Sequence, residues 1–317
     1  MKKIVNSVNI FSINTIFARG DISMDIIRKI ENEHLSVKVS DHGAELCSIF
    51  DKKNNREVIW QADPEYWKRH APILFPNVGK QFENKYTFEG RTYETKQHGF
   101  ARDTDFVCVK AEGNEIIHEL KSNEETKKVY PFDFTLRVTH TLNNKTVKVT
   151  WDVINDGNKD MFFTIGAHPA FNVPAEQGTV RSDYKLLFEG KDKLEYMLLN
   201  PQYGTAETAE KFEIKLQDHK YTIEDDMFDK DALVFDDTQI EKAAILMKDG
   251  GKYVEMICEG FPSFGIWSNH QSPFVCLEPW MGRCDDTGFN KDLSEKKNIN
   301  KVKENERFNK SYTITIY

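Results

Sequence analysis

Two histidines and one glutamate stand out by their surroundings. His98 lies in residues 97–102 (Gln-His-Gly-Phe-Ala-Arg) and His168 in residues 166–171 (Gly-Ala-His-Pro-Ala-Phe). Gly99, Ala101, Gly166 and Ala167 leave space around the imidazoles, and Pro169 restricts the backbone beside the second. Glu278 falls in residues 276–280 (Cys-Leu-Glu-Pro-Trp), next to a proline and an indole. An imidazole titrates near neutrality and a carboxylate accepts protons, so the trio has the groups needed to move protons on and off substrate oxygens. Each also has a plainer reading as a hydrogen-bonded scaffold residue. The three are too far apart in the chain to form a local motif, so only the fold can bring them together.

The elements that would do so are strands. Apolar and polar residues alternate over Leu35, Val37 and Val39, over Phe132, Phe134, Leu136 and Val138, and over Val147, Val149, Trp151 and Val153. Asn143-Asn144, Glu89-Gly90 and Asp249-Gly250-Gly251 mark turns between such runs. Residues 244–247, 253–257 and 313–317 continue the pattern. Helix candidates are short: 64–69, 207–211 and 291–295. Many short strands with Gly, Asn and Asp turns predict an all-β fold, a large antiparallel sandwich or barrel. Neither a repeat nor a Pro/Ser-rich linker divides the chain, and one domain is expected from Met24 onward. Residues 1–23, with polar residues breaking the apolar stretch 4–17, read as a dispensable disordered extension or a misassigned start. The charged segment 296–307 reads as a solvated connection.

Composition narrows the function. The 317 residues are 39% hydrophobic and 12% aromatic, enough for a packed core, and carry a net charge of −8. Without a basic stripe, nucleic acid is not an expected partner. Five cysteines without a Cys-x-x-Cys pair suggest reduced thiols in the cytoplasm. With no apolar run near the length of a span, no membrane partner is expected. Phosphate-loop and dinucleotide fingerprints are absent. Cys276 and Glu278 alternate toward one face, but no second ligand pair at metal spacing accompanies them, so neither metal nor cofactor is expected.

Five segments carry a more specific signal: 72–79 (Pro-Ile-Leu-Phe-Pro-Asn-Val-Gly), 97–102, 166–174 (Gly-Ala-His-Pro-Ala-Phe-Asn-Val-Pro), 231–235 and 277–280. In this order the chain resembles the aldose 1-epimerase (galactose mutarotase-like) superfamily, particularly its bacterial LacX-like branch. The resemblance implies a β-supersandwich, a sugar held in a cleft on one sheet, and cofactor-free interconversion of anomers. It implies Glu278 as general base, His168 as general acid and His98 as the second histidine. A carboxylate near His168 would raise its pKa and help it donate. Asp231 matches the position that accepts hydrogen bonds from sugar hydroxyls, though a turn carboxylate among its aspartate neighbours explains it as well.

Arg102 is close enough to His98 to share a cleft, where it would bind a hydroxyl or a phosphate, or simply pair with Asp103 or Asp105. Many relatives have an arginine soon after the Leu-Phe-Pro segment; here Lys80 stands there, a point charge in place of a bidentate group. Phe100, Phe171, Trp267 and Trp280 offer apolar faces for a pyranose ring. Trp280 is the best stacking candidate, Phe171 a second contact, and Trp267 reads as core. The expected activity is mutarotation of a free hexose by a monomer or homodimer. The alternatives are a hexose-6-phosphate 1-epimerase and a non-catalytic sugar-binding module.

Overall fold

The computed structural model describes residues 26–317, so the reading of residues 1–23 lies outside the described residues. The period-two segments form antiparallel sheets with almost no helix. The largest sheet has nine strands, in the order Lys220–Thr222, Lys185–Leu187, Lys242–Leu246, Lys252–Ile257, Arg307–Ile316, Thr146–Asn155, Phe134–Asn143, Glu115–Lys121 and Val107–Glu112. Its centre is the long hairpin of Phe134–Asn143 and Thr146–Asn155, in register from Phe134 opposite Asn155 to Asn143 opposite Thr146. Leu136, Val138, Val149 and Trp151 are buried on this hairpin while Arg137 and Lys148 are exposed, as alternating side chains on a half-covered sheet require.

A second, six-stranded sheet carries the site. Leu233–Phe235, Ser263–Trp267, Phe274–Met281, Ile165–Ala167 and Ile73–Leu74 follow one another, and Ala170–Asn172 also pairs with Phe274–Met281. Val275, Leu277, Phe264, Ile266, Ile165 and Ala167 point into the main core. Phe75, continuing from Ile73–Leu74, meets Phe134 of the nine-stranded sheet at 5.2 Å between ring centroids. The odd-numbered residues of Phe274–Met281 therefore face the core, and Cys276, Glu278 and Trp280 face the other way.

Three sequence expectations are corrected here. Residues 64–69 and 207–211 form turns, and only Leu293–Glu295 of the third candidate is helical, as a 3-10 turn. The one α-helix among the described residues, Glu124–Val129, begins at a capping box in which Asn123 accepts from the Thr126 amide and Thr126 accepts from the Asn123 amide. Segment 296–307 is not simply a solvated connection. Asn300–Val302 pairs with Met161–Phe163, and Lys296 is buried 2.7 Å from Asp285. Among the described residues no helix is long and apolar enough to cross a membrane.

A buried ion network ties the site sheet to the loop after Phe274–Met281. Asp236 accepts from Arg283 Nε at 2.9 Å, Ser263 Oγ at 2.8 Å and Lys297 Nζ at 3.0 Å. Removing one member of a buried pair strands the other charge, at a cost of about 3–5 kcal/mol. Asp236→Ala is expected near the lower end, about 3 kcal/mol, because Asp286 still holds Arg283 at 2.7 Å. Denaturant unfolding measures this. A loss below about 1 kcal/mol, the scale of a surface pair, would mean the network contributes little.

Candidate active site

Glu278 lies within the strand Phe274–Met281 and is 1% exposed. The strand beside it is broken. Ile165–Ala167 and Ala170–Asn172 pair with either end of Phe274–Met281, leaving His168 and Pro169 between them. Pro169 and Pro279 have no amide hydrogen to give to a ladder, so pairing lapses here. His168 uses the gap, and its Nε2 comes within 3.3 Å of Glu278 Oε2. Glu278 Oε2 and His168 Nδ1 are buried without a hydrogen-bond partner. Burial pushes the Glu278 carboxyl well up, reinforced by Asp231, with the Trp280 indole working weakly the other way. Burial also pushes His168 down to about 3, and Arg102 and Arg69 push the same way. The expectation that a carboxylate would raise the His168 pKa is thus corrected: loss of water dominates and the net shift is downward.

His98 comes from a different loop. It has φ +66°, an uncommon conformation for a side chain other than glycine. Its amide donates to the Gly79 carbonyl at 2.8 Å, and its Nδ1 accepts from the Gly79 amide at 3.0 Å. An imidazole accepting at Nδ1 carries its hydrogen on Nε2 when neutral, and burial holds His98 neutral by lowering its pKa well below normal. Its ring meets His168 edge-on at 5.7 Å. His98 therefore offers a neutral N–H donor next to the His168–Glu278 pair.

These groups line a cleft of about 500 Å³ with Trp67, Arg69, Gln97, Arg102, Asp231, Trp267, Asn269 and Trp280. Trp280 lies flat across the sheet, because glycines flank it on both sides. A Cβ on Gly166 would fall 2.5 Å from its Cδ1, and one on Gly265 would fall 2.4 Å from its six-membered ring. Arg102 is in the cleft, half-buried, with its Nη2 donating to the Gln97 carbonyl at 2.8 Å and its Nε buried without a hydrogen-bond partner. Burial and Arg69 lower its pKa to about 10. Asp231, exposed and at φ +75°, stands at the rim.

Several sequence assignments change. Phe171 is fully buried in the main core and does not line the cleft; on its strand the neighbouring Ala170 takes the opposite face. Phe100 likewise packs on Phe75, Tyr130 and Phe134. Trp267, read as core, lines the cleft and meets His168 edge-on at 5.5 Å. Lys80 is half-buried outside the cleft lining, its side chain running close to Gly204. Trp67 and Arg69 were missed. Trp67 stacks on His168 at 4.9 Å, and Arg69 pairs with Asp103 at 2.7 Å. Both come from the segment read as a helix, and a Trp and an Arg just ahead of Pro72 were the only signal. A further cavity of about 270 Å³ is walled by Tyr86, Phe100, Val129, Tyr130 and Phe162, and neither the two histidines nor Glu278 line it.

The sequence pattern of the aldose 1-epimerase family matches residues 27–315. The chain is 32% identical over 295 residues to the chromosomal LacX protein of Lactococcus lactis subsp. lactis, covering 91% of this chain and 98% of that one. A galactose mutarotase related enzyme from Lactobacillus acidophilus superposes with a TM-score of 0.86 at 34% identity, covering 93% of this chain and 97% of its own. A galactose mutarotase-like protein from Lactobacillus casei gives 0.83 at 29% identity, with 92% and 100% covered.

Proposed function

The chain belongs to the aldose 1-epimerase family, and we propose that it interconverts the α and β anomers of a hexose by opening and reclosing the ring. The observation that carries this reading is the buried His168–Glu278 approach of 3.3 Å, with the His98 N–H donor beside it. Glu278 takes the proton from the anomeric hydroxyl while His168 gives one to the ring oxygen. Rotation about C1–C2 and reclosure by the reverse transfers give the other anomer. His98 Nε2–H steadies the oxygen on which charge develops.

Burial favours a neutral carboxyl and a neutral imidazole in the resting pair, with the one transferable proton on Glu278. Passing that proton across 3.3 Å gives the carboxylate and imidazolium that ring opening uses, with no proton drawn from solvent. Trp280 forms an apolar floor, and Asp231 and Asn269 at the rim supply polar contacts for hydroxyls.

A second reading, a hexose 6-phosphate, draws support from two cleft arginines: Arg102, whose buried Nε makes no hydrogen bond and meets Asp103 only at 4.0 Å, and Arg69 beside it. Polarimetry on freshly dissolved glucose and galactose, and on their 6-phosphates, separates the two. Acceleration of the free sugars above the buffer rate is the expected result. A kcat/KM more than about 100-fold higher for the phosphates, near 2.7 kcal/mol, favours the second reading. Sugar binding with mutarotation at the buffer rate would instead make the cleft a non-catalytic sugar-binding module.

A further inference from the structure

Cys276, which the proposed reaction does not use, belongs to the same cluster. It shares the cleft-side face of its strand with Glu278, two residues on, and it is fully buried. One ligand atom each from His168, Cys276 and Glu278 lies within 4.8 Å of the other two. A tetrahedral zinc ion with ligands at about 2.0–2.3 Å holds them roughly 3.5 Å apart, so small rotamer shifts close the set. The His168–Glu278 separation of 3.3 Å already fits. Glu278 Oε2, buried and without a hydrogen-bond partner, faces His168 Nε2 and leaves its lone pairs free to ligate.

We propose that His168, Cys276 and Glu278 form a three-ligand site for Zn²⁺, reached from the cleft, whose occupation shuts the enzyme off. Imidazole, thiolate and carboxylate are a donor set for zinc and similar borderline metals rather than for Mg²⁺ or Ca²⁺, which prefer oxygen alone. His168 and Glu278 line the cleft, while Cys276 packs behind them against Trp60, Ala170 and Phe274, so the ion enters from the side of the first two. Binding forms the metal–sulfur and metal–oxygen bonds as protons leave the Cys276 thiol and Glu278 carboxyl for solvent. The ion then occupies both groups proposed to move protons. The other such cluster among the described residues, Asp41, Cys108 and His118, contrasts with it. Asp41 there is already gripped by Arg28 at 2.9 and 2.7 Å and by His118 at 2.9 Å, so a cation would have to displace a guanidinium.

The test is titration of the full chain with chelator-buffered Zn²⁺, followed by calorimetry and mutarotation, with Co²⁺ as a spectroscopic probe. One zinc per chain is expected, with turnover falling as the site fills and returning after EDTA, and no response to Mg²⁺ at equal concentration. The Co²⁺ form is expected to show a thiolate-to-metal charge-transfer band. Cys276→Ala is expected to lose that band and weaken zinc binding more than about tenfold, since even outer partners of ligands are worth 10–100-fold. Cys276→Ser, which preserves the side-chain size, is expected to lose the band as well. Equal zinc affinity in Cys276→Ala, or a Co²⁺ complex without the thiolate band, would overturn the proposal. Loss of turnover rests on the epimerase reading, but stoichiometry and the cobalt spectrum do not, so either can fail without the other.

Discussion

Glu278→Gln is expected to lower the chemical step by about 10²–10⁴-fold, the usual contribution of a positioned acid or base, while leaving the fold intact. The fold survives because of the state in which Glu278 is held. At 1% exposure, with burial pushing its pKa well up, the neutral carboxyl is the favoured form. An amide of the same shape therefore replaces a neutral group, and melting temperature is expected to stay within a few degrees. What the amide cannot do is take the anomeric proton or share one with His168. His168→Asn removes the other half of the pair and is expected to cost a similar factor. His98→Asn is expected to cost less, because an amide N–H still donates where the Nε2–H did. The measurement is turnover under conditions in which ring opening, not product release, limits the rate. A Glu278→Gln enzyme within threefold of the parent, about 0.65 kcal/mol, would remove Glu278 from the role of base.

The strands were legible in the sequence because burial on one face writes itself into alternate residues. The 134–143 and 146–155 hairpin, the Glu89-Gly90 turn and the closing strand all followed from that rule. Alternation does not say which face meets the core and which lines the cleft. Phe171 and Trp267 exchange roles for that reason: each sits on a short strand whose parity becomes visible only once Val275 and Leu277 are seen to face the core. Trp67 and Arg69 had no periodicity to betray them, since a turn aims them at the cleft. The pKa of His168 was misjudged because a neighbouring carboxylate can be seen in a list of motifs, whereas loss of water cannot. Electrostatics at this site is a property of burial, and burial is set by the whole sandwich.

The same burial is expected to make the protein lose stability in acid. His98, His140 and His168 are at most 8% exposed, and burial lowers each: His140 and His168 to about 3, His98 well below normal. In the unfolded chain each returns to about 6.5. Their contribution to stability is complete above that value. As pH falls below it, the unfolded chain takes up protons that the folded one refuses, and stability declines until the folded pKa is reached. His98 and His140 give a slope of up to about 2.7 kcal/mol per pH unit, while His168 is offset by Glu278, whose raised pKa keeps in the folded chain a proton that unfolding releases, so an ordinary stability of 5–15 kcal/mol is expected to fall by several kcal/mol over the few units below 6.5. His118 adds less, since Asp41 at 2.9 Å opposes the effect of its burial. His140 offers the cleanest test, being in the nine-stranded sheet and away from the cleft. His140→Leu is expected to reduce the slope of unfolding free energy against pH by about one proton, near 1.4 kcal/mol per unit between about pH 6 and 4. Comparing slopes rather than absolute stabilities removes whatever leucine does to packing at neutral pH. An unchanged slope would mean that His140 binds its proton equally well in the folded sandwich.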